Sequence, residues 1–129
     1  MNRIAALIVA VSTLLSRAAA DEIRRAFIPG AILGTWAETA EQCATKDKSD
    51  VVIESAKYGD GNGTCTVRWA VETPGARGVN YAVHALCTSA KDQSKTQIVN
   101  IIIRPQGNDH ALMGRSFADL KTYQRCPAE

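Results

Sequence analysis

The stretch that decides the fold runs from Thr64 to Cys87 and reads TCTVRWAVETPGARGVNYAVHALC. Two runs of alternating residues flank the turn Pro74-Gly75-Ala76-Arg77-Gly78. With Ala76 at the tip, the odd positions pair across the turn: Cys65 with Cys87, Val67 with Ala85, Trp69 with Val83, Val71 with Tyr81 and Thr73 with Val79. The even positions form the other face, with Thr66 against Leu86, Arg68 against His84, Ala70 against Ala82 and Glu72 against Asn80. One face is apolar and the other mostly polar, which predicts an antiparallel hairpin lying on a core, with Trp69 and Tyr81 as structural aromatics on its apolar side. The cysteines fall opposite each other in a register set without reference to them.

Outward from the hairpin, the chain punctuates itself into short strands. Ala31 to Ala37 reads as a first strand and Val51 to Ser55 as a second. Between them, Thr39 and Gln42 have capping-box spacing, which predicts one or two helical turns carrying Cys43. Gly59-Asp60-Gly61-Asn62-Gly63 is the strongest turn signal in the chain, because Gly, Asp and Asn tolerate positive φ. After the hairpin, Thr96 to Arg104 is apolar on both faces and is expected to be central or covered on both sides. Ala111 to Ser116 and Lys121 to Cys126 complete the set. Strands at this spacing, with no long helical period, predict an all-β domain, a small antiparallel barrel of seven or eight strands.

The first 20 residues read as a cleaved export signal, with Arg3 as a basic n-region, an apolar run from Ile4 to Leu15, and Ala18-Ala19-Ala20 before Asp21. The apolar run is too short to span a bilayer, so no membrane anchor is expected once the leader is removed. Residues 21–30 then form an N-terminal tail ending at Pro29-Gly30, and residues 31–129 the single barrel domain. The leader takes Arg3 and Arg17 and no acid, leaving 13 of the 15 basic residues against 13 acidic ones, a formal net charge of zero. Without a basic stripe, nucleic acid is not expected as a partner. The four cysteines Cys43, Cys65, Cys87 and Cys126 all lie past the leader, and an even count in a small exported chain predicts two disulfides. The hairpin register pairs Cys65 with Cys87, which leaves Cys43 for Cys126. A periplasmic or secreted monomer follows.

Chemistry-bearing constellations are sparse. Asp60-x-Asn62-x-Thr64 has the start of a calcium loop, but Cys65 and Val71 stand where such a loop needs Gly and Glu, so a hairpin turn explains it better. His84 on the polar face opposite Arg68 lacks a neighbouring nucleophile, and His110 reads as a solvated turn residue. No zinc-ligand spacing occurs among Cys and His. Neither enzymatic activity, metal nor cofactor is expected.

Gly34-Thr35-Trp36 at the start of the first strand, with Arg125 in the last, resembles the pattern of small calycin-type barrels. The resemblance implies that Trp36 closes one barrel end and Arg125 stacks over it. Length, leader and the order Trp36 then Cys43 are most similar to the small bacterial inhibitors of secreted zinc metalloproteases, from which the chain departs in having four cysteines. That likeness implies a non-catalytic binding protein whose tail, with Asp21, Glu22, Ile23 and Phe27 as contact residues, enters a protease cleft while the barrel rim blocks access. A small-ligand carrier using the barrel interior, and a small enzyme of unrecognised type, are the alternative expectations.

Overall fold

The computed structural model describes residues 22–128. The leader, the proposed cleavage point and Asp21 therefore lie outside the described residues. The described chain forms nine strands: β1 (Ile23–Arg25), β2 (Gly34–Ala37), β3 (Val51–Ile53), β4 (Lys57–Asp60), β5 (Gly63–Gly75), β6 (Gly78–Ser89), β7 (Thr96–Gln106), β8 (His110–Gly114) and β9 (Lys121–Arg125). A six-residue helix α1 (Ala40–Thr45) follows β2. All strand pairings are antiparallel, and the order β5–β4–β3–β2–β9–β8–β7–β6 closes on itself through β5–β6, giving an eight-stranded barrel with β1 added outside the ring on the distal half of β5.

Closure leaves the lumen as the core. Trp36, Ile53, Tyr58, Val83, Ile101, Ile103 and Met113 fill it, and the Cys65–Cys87 disulfide lies among them. Both bridges are those the hairpin register implies, Cys65–Cys87 and Cys43–Cys126. The helix is capped as the spacing predicts: the Gln42 amide donates to Thr39 Oγ1 (3.2 Å), and Gln42 Oε1 accepts from the Glu38 amide (3.1 Å). Lys46 then ends the helix in the left-handed region (φ 52°).

The hairpin departs from the predicted pairing in one respect, with consequences for everything beyond it. From Cys65 to Val67 the pairing is as predicted, but a bulge at Arg68 puts Trp69 opposite His84, Ala70 opposite Val83 and Glu72 opposite Tyr81. Parity is the reason. The connection is a tight two-residue one, Ala76-Arg77, between paired Gly75 and Gly78, and it needs partners whose numbers sum to an odd value. The disulfide pair needs an even sum, so one residue must be left unpaired. Ala70 is thereby turned inward and fully buried, while Trp69 moves to the outer face.

Three further differences are local. The segment 30–33 is a 3-10 turn (Gly30–Ile32) that buries Ile32 before β2 starts at Gly34. Lys57–Asp60 is a strand, because Asp60 pairs with Gly63 across a tighter turn than five residues of Gly, Asp and Asn suggest. On β7, Ile101 and Ile103 face the lumen and Ile102 is covered on the outside, but Ile98 is 60% exposed, so only part of the strand is covered on both sides.

Candidate binding surfaces

The end of the barrel at which the chain enters β2 is closed by a stack built from the two ends of the domain. Trp36 is held by its indole N–H donating to Ile32 O (3.2 Å), a bond that also fixes the 3-10 turn. Trp36 pairs with Arg125 across β2–β9, and the Arg125 guanidinium sits 4.3 Å from the centre of its ring. The guanidinium then donates to Leu33 O (2.6 Å), Ala31 O (2.5 Å) and Asn108 O (3.0 Å), tying three crossing segments together. Gly34 lets it pass: its φ is +128°, and a Cβ there would stand 3.3 Å from Arg125 Nη1. This is the contact that the calycin resemblance implies for Trp36 and Arg125.

Of the tail residues expected to bind a partner, Glu22, Ile23 and Phe27 are exposed, Ile23 at 46% and Phe27 at 60%. They do not hang free. Ile23–Arg25 run along β5, Arg25 forms an ion pair with Glu72 (2.8 Å), and the Ile28 amide donates to Ser55 O (2.8 Å) as Ile28 enters the core. A three-residue strand with no alternation gives no sequence signal, so this anchoring is invisible to pattern reading.

On the opposite side of the hairpin wall, Trp69 is stacked between two partners. The Arg24 guanidinium lies 4.0 Å from the centre of its ring, and His84 lies parallel to it at 4.0 Å. His84 Nδ1 in turn meets Asn100 Oδ1 at 3.0 Å. Four strands, β1, β5, β6 and β7, thus contribute one row of side chains on the outer surface. Tyr81 keeps its predicted place on the core side, where burial, aided by the Glu72 charge, pushes its phenol pKa up.

Inside the barrel, Arg115 makes a bidentate pair with Asp60 (2.8 and 2.9 Å), and buried Tyr58 hydrogen-bonds to the same carboxylate. Burial first, then the Asp60 charge, raises the Tyr58 pKa, so the phenol stays a donor. The same Asp60 accepts from the Asn62 amide (2.8 Å), an Asx turn rather than a calcium loop.

A concavity lies outside the ring, over the outward positions Thr35, Val52 and Gly59 that register across β2, β3 and β4. It has a volume of about 910 Å³ and is walled by the 46–50 loop and the Cys43–Cys126 bridge. Asp50 lies in its wall at 8% exposure with Oδ1 covered and without a hydrogen-bond partner. Burial, with the neighbouring Asp47 charge, raises the Asp50 pKa, whereas hydrogen bonds from Ser49 lower that of Asp47. Nothing in the charge-dense run Lys46-Asp47-Lys48-Ser49-Asp50 marks which carboxylate will be covered, so Asp50 has no local signature. Among the described residues no group of three or more His, Cys, Asp or Glu side chains is placed to hold a metal ion.

The class that fold and closure define is a small, closed, eight-stranded antiparallel barrel with two disulfides, consistent with a calycin-like barrel. No family model, no curated protein and no solved structure matches the chain. Its two disulfides belong to an oxidising environment, extracellular or periplasmic.

Proposed function

We propose that the chain is an exported, non-catalytic binding protein that acts on another protein, and that a secreted protease is its target. The observation carrying this reading is the packed lumen. A carrier barrel of this size needs an interior cavity, but here bulky side chains and a disulfide occupy the inside. Recognition is thereby left to the outside.

The resemblance to metalloprotease inhibitors directs attention to the N-terminal segment. Ile23 and Phe27 offer apolar side chains for a cleft, and Glu22, with Asp21 before it, offers carboxylate oxygens of the kind a catalytic zinc accepts. The anchoring of Ile23–Arg25 on β5 supports the role, since a segment held in one conformation loses less entropy on binding. The test uses oxidised mature protein against a panel of secreted zinc metalloproteases and serine proteases. Inhibition of a metalloprotease is expected, weakened about tenfold or more by Phe27→Ala, with the thermal midpoint unchanged because the side chain is exposed. Absence of inhibition across the panel, or inhibition indifferent to Phe27→Ala and Ile23→Ala, contradicts the proposal.

A further inference from the structure

The outer face of β5, β6 and β7 brings large apolar side chains together. Ile98 stands 60% exposed beside its cross-strand neighbour Leu86, and Phe117, 66% exposed, overhangs the same face from the 3-10 turn after β8. Ile102 lies between them and is almost completely covered. Large apolar side chains grouped in this way mark interaction surfaces, whereas single ones scattered over a surface do not.

Along the three strands themselves, the outward charge has one sign. From Thr66 to Gln106, every outward position on these three strands is apolar, neutral polar or basic, and none is acidic. Two of the cations are already set over aromatic rings, Arg24 over Trp69 and Arg104 at 5.2 Å from the Phe117 centroid. Arg104 also has its Nε removed from water without an acceptor. Among the described residues no carboxylate is paired with Arg104, so one brought to its guanidinium adds a charge-assisted contact.

We infer that the outer face of β5–β7 docks an acidic, apolar-containing segment of another protein, its apolar side chains seated on Ile98 and Phe117 and its carboxylates on Arg104. Complementary charge sets register and encounter rate, and the apolar contact supplies most of the retention. This surface is additional to the segment around Phe27, and its test does not pass through protease inhibition.

The test is selection of a random peptide display library on the oxidised mature protein. Expected are sequences that place Asp or Glu next to Leu, Ile or Phe. Their affinity should fall about tenfold or more in Ile98→Asp and Arg104→Gln, and should also fall as salt is raised from about 50 to about 500 mM. Phe27→Ala should leave it unchanged. Ile98 is exposed, so Ile98→Asp keeps the fold and remains informative even where Arg104→Gln does not. Several outcomes overturn the inference: no enrichment, enriched peptides without acids, or binding indifferent to both face variants. Self-association of the protein, or adsorption to anionic vesicles, lost in Ile98→Asp, overturns it equally, because the occupant is then a second copy or a lipid surface.

Discussion

At the residue scale, Trp36 and Arg125 do two jobs with one contact: they fill the closed end of the lumen and knot three crossing segments. Trp36→Ala is expected to cost about 3–5 kcal/mol in urea denaturation, as removal of a large buried aromatic does. Arg125→Ala should cost less, and the two losses should be non-additive in a double-mutant cycle, because the side chains touch. Asp50 makes a second residue-level case. Its pKa is raised in the folded state, so the fold holds a proton that the unfolded chain releases as pH rises above the ordinary carboxylate range. Stability contributed by this group is therefore greater on the acid side of that window and is lost as pH climbs through it. Asp50→Asn should flatten that slope and stabilise the protein at neutral pH, by on the order of 1 kcal/mol. An unchanged pH profile would mean that Asp50 finds a partner in solution.

At the scale of elements, the hairpin shows where pattern reading stops. Alternation and the opposed cysteines were legible because both repeat with period two, and the pairing near Cys65–Cys87 follows from them. The bulge at Arg68 was not legible from alternation, since Trp69, Ala70 and Val71 are all apolar and fit either face. The only trace of it is arithmetic: a two-residue Gly-flanked turn and a cysteine pair of opposite parity. Trp36 and Arg125 could be placed from motif spacing, whereas β1 and the Asp50 wall depend on contacts across the fold that no local pattern encodes. The turn opening the hairpin carries its own prediction. Gly63 has φ +143°, and a Cβ there would meet Thr88 O at 1.9 Å. Gly63→Ala combines backbone strain with a clash against main chain that cannot swing away, and should destabilise by on the order of 2–3 kcal/mol or more. A neutral effect in thermal denaturation would show that β5 begins later than Gly63.

At the scale of the molecule, two bridges hold the closed ring. Cys65–Cys87 closes a sequence separation of 22 and Cys43–Cys126 one of 83. The chain-entropy account assigns roughly 3.4 and roughly 4.6 kcal/mol to them, so Cys126→Ser should destabilise more than Cys65→Ser. Under graded reductant the order of opening should follow access: Cys43–Cys126 is half-buried and should open first, while Cys65–Cys87, in the lumen, should persist until the barrel unfolds. Mass spectrometry of alkylated intermediates reads that order. The binding proposal rests on the same interior, because a lumen occupied by its own side chains leaves only the outside for recognition. The most direct measurement of that point is methyl-resolved NMR of the oxidised protein during titration with a small apolar probe such as cis-parinaric acid. A packed lumen predicts no saturable shift at the inward methyl groups of Val83, Ile101 and Ile103. A saturating one-to-one shift at those three residues would show a ligand inside the barrel and contradict the account.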